Sequence, residues 1–543
     1  MKCYGYKDRE GYPLAAWIWG HRLWAGQHWM EYLLEFLNVL AGFDYELGQG
    51  IKGASKKEYI RFARLGLRRF VFYDEHEKTR HPYDDEASRR LREALLQIVQ
   101  TIDGNKQFVL ETTRSLLRAF SAIEEQRSWF AKSLFPAHHN FLFWEALRRG
   151  ATKYRGKSVP HDISPQELDA GITFDERNFF ARGGELYYLM LSASTEKNQE
   201  RRRFIARQLQ HLLNDHNQDL GGLAEIIDKA WHSEGSSDKK GTVGWIPDPA
   251  CPFYTIFTED VETFLKADLD SLEKLDLLAH LIGFHVTLYI YHRAHPEATP
   301  ERHEDGSCLD LCRLALLIDA LEGADGGIVR GVSASLFREQ EAHIEQKARD
   351  YVRQQVEAWG MKTKDYKDLD SMAQEHFNIS ALHGKTKAAF NRRVHALQEK
   401  FLHKEIDWNG YLNSYTELLT DLLLINFRKH FLGVHRKLSK SVGFVLPRKG
   451  PRARFVLGDN LLKAITLSNV APGEEMSYDE FLERLYERYG LVVGLVQAKK
   501  SGLVNRQPIN TQYYERNRTA LLEKMKYAGL AIEYSDATAI VKP

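Results

Sequence analysis

Residues 458–490, GDNLLKAITLSNVAPGEEMSYDEFLERLYERYG, set the fold of the C-terminal end. Leu461, Leu462, Ile465 and Leu467 give a first helix its apolar face behind Asp459 as N-cap, and Pro472-Gly473 ends it. Ser477, followed three residues on by Glu480, is a capping box. It opens a second helix with Phe481, Leu482, Leu485 and Tyr486 at core spacing and Gly490 as its stop. A third helix fits Thr511 to Tyr527, and its first turns present Gln512, Tyr513, Arg516, Asn517 and Arg518, side chains that hydrogen-bond base edges and phosphates. Gly529 then leads into Ala531 to Tyr534 and Ala537 to Val541, two short strands around Ser535-Asp536.

Just upstream, Leu422 to Gly458 holds nine basic residues and no acid: Arg428, Lys429, Arg436, Lys437, Lys440, Arg448, Lys449, Arg452 and Arg454. Each phosphate neutralised by such a cation adds a salt-dependent increment of affinity. From Gly458 to Pro543 the order of helices and hairpin resembles winged-helix domains. That resemblance implies a third helix lying in the major groove or, in many copies of the fold, a surface that docks proteins. The basic segment favours double-stranded DNA, with contacts from Arg436, Lys437, Lys440, Arg448, Lys449, Arg452, Arg454, Gln512, Arg516 and Arg518. Glu474, Glu475, Asp479, Glu480, Glu483 and Glu487 pull the other way and keep a protein-docking adaptor as an alternative.

The whole chain is 543 residues, more than one ordinary core. Its hydrophobic share of 43% and charged share of 27% are those of a globular protein, predicting a mainly α, multidomain fold. A formal net charge of +1 supplies no global field toward nucleic acid or anionic membrane, so any such contact is local. Cys3, Cys251, Cys308 and Cys312 are too few and too irregular for a disulfide framework, and no apolar leader is evident near Met1, so a cytoplasmic location is expected. Leu275 to Tyr291, the most apolar stretch, is interrupted by Asp276, His280 and His285 and falls short of a membrane span.

Helical spacing dominates from Trp29 to about Leu220, with Arg68 to Tyr73 readable as strand or buried helix. Ser233 to Gly244 has a linker's composition. The expected division is therefore a helical domain at 1–232, a linker at 233–244, a second helical domain at 245–431, a basic connector at 432–457 and the C-terminal unit at 458–543. Thr258 is expected to cap a helix beginning at Glu259.

No motif names a reaction. Gly183-Gly184, with Arg177 and Arg182 nearby, stands ahead of a helical run; it reads as an anion site or as a tight turn. Gly384-Lys385-Thr386 lacks the first glycine of a phosphate loop, where Ile379 stands. Cys308 and Cys312, with Cys251 and His303 or His280, invite a zinc site, but buried cysteines more often pack as apolar residues, and no metal or other cofactor is expected. His138 and His139, the trio His285, His292 and His295, and the Arg428…His435 spacing found in some helical ribonucleases are read as ordinary core or surface residues. Trp17, Trp19, Trp24 and Trp29 read as a hydrophobic anchor for the terminus.

Two stretches, Asn178 to Tyr188 and Leu457 to Tyr489, resemble accessory subunits encoded beside HerA/FtsK-type ATPases in bacterial phage-defence operons, methylation-associated or phosphorothioate-linked. The resemblance implies a non-catalytic subunit that helps a partner ATPase or nuclease engage DNA. The competing enzyme reading is a nuclease or nucleotide-dependent site assembled from distant residues around Arg182, Glu185, His138 and His139.

Overall fold

A helix that is apolar on every side belongs in the middle of a protein, and Ser271–Ala294 is such a helix: from Leu275 to Tyr291 nearly every side chain is buried. The computed structural model describes residues 13–20, 23, 29–42, 46–48, 56–62, 85–100, 104–120, 153–154, 157–158, 172–173, 183–214, most of 222–230, 239–247, 251–295, 314–321, 326–379, 384–447, 452–534 and 538–543. In chain order the N-terminal helices are α1 (Pro13–Trp19), α2 (Trp29–Gly42), α3 (Asp85–Ile98), α4 (Lys106–Phe120), α5 (Gly183–Ser194) and α6 (Gln199–Asn214). The central ones are α7 (Pro252–Leu265), α8 (Ser271–Ala294), α9 (Gly327–Gly360), α10 (Tyr366–His376), α11 (Lys385–Leu402) and α12 (Trp408–Ser441). The C-terminal ones are α13 (Asp459–Asn469), α14 (Tyr478–Tyr489), α15 (Leu495–Lys500), α16 (Leu503–Arg506) and α17 (Gln512–Tyr527). The protein is mostly helical, with small sheets made from β1 (Lys56–Phe62), β2 (Lys153–Tyr154), β3 (Lys157–Ser158), β4 (Ile172–Thr173), β5 (Lys239–Trp245), β6 (Leu316–Leu317), β7 (Val445–Leu446), β8 (Arg454–Phe455), β9 (Met476–Ser477), β10 (Leu491–Val492), β11 (Ala531–Glu533) and β12 (Ala539–Val541).

Helix α8 is surrounded by α2, α7, α9, α12 and α13. Asp270 caps it by accepting from the Leu272 amide at 2.9 Å, and Arg293 stands in its last turn, where positive charge suits the helix dipole. No helix among the described residues is long and apolar enough to cross a membrane. Trp17 and Trp19 tie the N-terminal turn to this body: the Trp17 indole stacks on His376, and that of Trp19 donates to the Ile290 carbonyl at 3.3 Å and packs on Phe431.

Helices α9 and α12, each 34 residues and so about 51 Å long, run antiparallel, with Glu345 opposite Arg428 and Glu341 opposite Arg436. At their far end α10 and α11 complete a bundle, tied by a Tyr415 to Asp370 hydrogen bond of 2.9 Å and one from the Trp408 indole to the Gly360 carbonyl.

The structure departs from four local expectations. Part of the linker expected at 233–244 is strand: β5 (Lys239–Trp245) pairs antiparallel with β1 (Lys56–Phe62), in a register from Lys56 opposite Trp245 to Phe62 opposite Lys239. Its glycines carry no local strand signal; a partner about 180 positions upstream supplies the ladder. Thr258 caps nothing. Pro252 starts α7 at the position where a missing N–H costs nothing, and the buried Thr258 hydroxyl donates to the Tyr254 carbonyl inside the helix. Asp459 is the first residue of α13, and Gly458 is its cap. The boundary drawn at 431 falls inside the continuous helix α12, so residues 432–441 of the basic segment are helical rather than an extended arm.

The C-terminal elements match their local signals closely. The Ser477 hydroxyl accepts from the Glu480 amide, and Gly490 closes α14 at φ +71°. The hairpin of β11 (Ala531–Glu533) and β12 (Ala539–Val541) forms, and β12 pairs on its other edge with β9 (Met476–Ser477). These elements do not hang free. β10 (Leu491–Val492) pairs in parallel with β6 (Leu316–Leu317), α13 packs on α7 and α8, and one hydrophobic core runs from the body through Leu461, Phe481 and Leu521.

Candidate nucleic-acid interface

Helix α17 buries Tyr514, Asn517, Leu521, Leu522 and Met525 and turns Gln512, Glu515, Arg516 and Thr519 outward. Asn517 is therefore not on the exposed face expected for it. Its amide donates to the carbonyls of Ile318 (2.8 Å) and Val493 (3.0 Å) and accepts from the Ala320 amide (2.9 Å), so it staples α17 to the end of the β6–β10 pair. Arg518 lies half-way in: it donates to Asp479 and stands over the Tyr478 ring, whose hydroxyl donates back to the Arg518 carbonyl at 2.7 Å. Gln512 and Arg516 remain as the outward polar pair of the first turns.

Three of the four described arginines of the basic segment are paired with carboxylates. Arg428 donates to Glu345, Arg436 to Glu341 and Arg454 to the buried Asp319, which also takes Arg330. The guanidinium fork suits such fixed carboxylate pairs. The Arg428 hydrogen bond, with Arg349 and against some burial, holds the Glu345 carboxyl down at about 2. Burial pushes Glu341 up, but His435 and Arg436 outweigh it and hold that carboxyl at about 2. Lys429, Lys437, Lys440 and Arg452 are the complement: none of them makes an ion pair with a described residue, and Lys429, Lys437 and Arg452 are exposed. Arg448 and Lys449 lie outside the described residues. The segment thus offers four described cations to an anion rather than seven.

From Gly458 to Pro543 eleven basic residues face eleven acidic ones, so attraction to a polyanion depends on arrangement. Most of these cations are spent internally: Lys500 on Glu483, Lys542 on Glu475, Lys463 on Glu273, Lys524 on Asp459 and Lys526 on Glu523 and Glu533.

A buried polar network fixes where α14 sits on the body. Asp260 of α7 accepts from Arg488, from the Tyr489 hydroxyl at 2.8 Å and from His285 Nε2 at 2.9 Å; Asp260 and His285 are fully buried. A carboxylate that only accepts makes Nε2 the protonated nitrogen, so Nδ1 accepts the Tyr187 hydroxyl at 2.8 Å. Arg488 also donates to Glu259 at 3.1 Å and to the Ile256 carbonyl at 3.2 Å. Burial lowers the His285 pKa, with Asp260 pulling it back toward its ordinary value. Arg488, Tyr489 and Tyr187 are the three side chains that hydrogen-bond the Asp260–His285 pair, and the network joins α14 to α5, α7 and α8 as a lock. No sequence signal marked it, because directly hydrogen-bonded partners in it lie as far as 232 residues apart.

The glycine pair has a packing reason. Gly183 and Gly184 open α5 where α2 crosses it: a Cβ on Gly184 would lie 2.2 Å from the Tyr32 carbonyl oxygen and 2.5 Å from the Phe36 nitrogen. The Gly184 amide donates to Glu35 at 2.8 Å, so a carboxylate of the chain itself occupies the helix N-terminus. Arg177 and Arg182 lie outside the described residues, as do His138, His139, His303, Cys308, Cys312, Trp24 and 68–73. Glu185 is buried in the first turn of α5. Cys251 is buried, and His280 sits 2.9 Å from the Val442 carbonyl. Arg428 and His435 do not share a site: Arg428 is at the surface, whereas His435 is fully buried, stacked on Phe337 with its Nε2 3.4 Å from Glu341. Among the described residues no group of His, Cys, Asp and Glu is placed to hold a metal ion.

Comparison with protein-family models, curated proteins and solved structures finds no match.

Proposed function

We propose that this chain is a non-catalytic DNA-binding subunit of a larger DNA-processing assembly, with residues 458–543 acting as a winged-helix module. The observation that carries the reading is the division of the basic segment, in which Arg428, Arg436 and Arg454 are held by carboxylates while Lys429, Lys437, Arg452 and the half-buried Lys440 make no ion pair with a described residue. The succession α13, β9, α14, β10, the short α15 and α16, α17 and the β11–β12 hairpin, with β12 between β9 and β11 and Gln512 and Arg516 outward on α17, supports it. In this reading the lysines fix position on the backbone, and α17 supplies base contacts. A bacterial phage-defence setting, with a HerA/FtsK-type ATPase or a nuclease as partner, is part of the proposal.

Truncation after Phe431 is not a fair test, since it cuts α12 and strips Arg488 and Tyr489 from Asp260. The test is duplex binding by the full chain across a salt series, with Lys429, Lys437, Lys440 and Arg452 changed together to Gln. Four lost phosphate contacts predict a log–log salt slope shallower by about 3.6. An unchanged slope rejects the interface.

A protein-docking role is the second reading. Tyr527, Ile532 and Tyr534 are 91%, 49% and 48% exposed around the unpaired edge of β11, and such an edge accepts a partner strand. Partner association that survives the four neutralisations, without DNA binding by the unaltered chain, favours it.

A further inference from the structure

Helix α11 and the turn after it, residues 385–404, hold six basic residues, Lys385, Lys387, Arg392, Arg393, Lys400 and Lys404, against the single acid Glu399. Its inward face is Phe390, Val394 and Leu397, all buried. The opposite face shows Lys385, Arg392, Arg393, His395, Ala396, Glu399 and Lys400 to solvent, with Glu399 3.5 Å from His395, so the cations outnumber its one acid. The cations come in pairs seven or eight residues apart, about two turns or ~11 Å. Lys385, Arg392, Lys400 and Lys404 make no ion pair among the described residues, and Arg393 has only Asp421 at 4.0 Å, both open to water, a contact worth little.

The placement of α11 on α12 joins this face to the interface above. Phe401 packs on Tyr411 at 5.3 Å, and Arg393 stands by Asp421, so the helices are antiparallel and Lys385 lies level with the turn at Lys429. On α12 the side chains Tyr411, Tyr415, Leu418 and Leu422 form one buried stripe. The same spacing continues through Lys429, Gly433, Arg436 and Lys440. The stripe is apolar where α11 covers it and basic where α11 ends.

We infer that the outer face of α11 and the uncovered lysines of α12 form one cationic track for the phosphate backbone of duplex DNA. The inference deepens the proposed function and rests on it for the identity of the ligand. The track spans about 45 Å from Lys404 to Lys440, about 13 base pairs. The step between its two levels is one helix spacing, about 8–10 Å, close to the ~8.5 Å depth of the major groove, so a single duplex reaches both. The chemistry of the face selects nucleic acid over other polyanions. Protein interfaces are enriched in aromatics and depleted in lysine, whereas this face is rich in lysine and arginine and carries no Phe, Tyr or Trp. Membrane-surface helices present an apolar face to lipid, and here that face is sealed against α12.

The test uses the full chain and a labelled duplex of about 24 base pairs, longer than the track. One variant carries Lys385→Gln, Arg392→Gln and Lys400→Gln, a second carries the four interface changes given above, and a third carries both sets. All the altered side chains but the half-buried Lys440 are exposed, so unchanged circular dichroism is the check on folding. The expected result is a salt slope shallower by about 2.7 for the α11 set, adding to that of the interface set. A shallower slope for the interface set alone overturns the track and leaves the proposed function standing. Absence of salt-dependent binding by the unaltered chain overturns both. Loss of binding to polyglutamate or to phosphatidylserine vesicles by the α11 set, with the duplex slope unchanged, also overturns the track and assigns the face to another polyanion.

Discussion

Arg488→Met tests the physical account of how the C-terminal elements are held. Asp260 is fully buried and has Arg488, Tyr489 and His285 as donors. Removing the guanidinium leaves a buried carboxylate with two neutral donors, and breaking a buried pair on one side costs about 3–5 kcal/mol. The reverse change, Asp260→Asn, is milder, because Arg488 keeps Glu259 at 3.1 Å and the Ile256 carbonyl; about 2–3 kcal/mol is expected, the worth of a charged hydrogen bond. With both changes no unpaired charge remains, so the double variant is more stable than the sum of the singles by at least about 1.5 kcal/mol. The assay is urea unfolding followed by tryptophan fluorescence, with amide exchange along α14 and α7 to locate the opening. Exchange should quicken first in Tyr478–Tyr489 for Arg488→Met. Single changes costing under about 1 kcal/mol each, or strict additivity, would refute the lock.

Three further outcomes follow from the same geometry. Asn517→Ala removes three hydrogen bonds and strands the Ile318 and Val493 carbonyls; a loss of about 2–3 kcal/mol in urea unfolding is expected, while Gln512→Ala on the outer face stays within about 0.5. Gly184→Ala places a methyl against the α2 backbone, which cannot yield as a flexible side chain does, so more than about 3 kcal/mol is lost or soluble yield collapses; a normal melting temperature contradicts the close approach. Burial, with Arg293, His295 and Lys347 nearby, lowers His292 from 6.5 to about 4, and the unfolded chain therefore binds its proton first. That contribution is complete above about pH 6.5 and is lost as pH falls toward 4, about 2 kcal/mol after allowing for the ring's partial exposure; His292→Gln should flatten the pH dependence of unfolding in that window.

How much of this was legible in the sequence depends on how far each side chain's partner lies along the chain. The Ser477 cap, the Gly490 stop, the span of α17 and the hairpin at 531–541 were readable because their chemistry is local. The strand at Lys239–Trp245 was not, since glycines and lysines look like linker until Lys56–Phe62 lies alongside. Nor was the inward turn of Asn517, whose three partners lie on Ile318, Ala320 and Val493. The basic run was visible as a run, but its division into paired arginines and open lysines needed α9, which brings Glu341 and Glu345 alongside α12. The Asp260 lock had no signal, because its Asp, His, Arg and Tyr residues are common singly and meet only in the folded chain.

Hydrophobic periodicity and capping chemistry, properties of neighbours three or four residues apart, thus determined that the protein is mainly helical, where α14 and α17 begin and end, and that charge gathers at 428–454. The tertiary structure decided which of those charges are neutralised, which glycines are needed for close approach, and that the C-terminal elements share a core with the body. The physical reason is that burial and ion pairing depend on distances through space, which only the packing of distant segments sets.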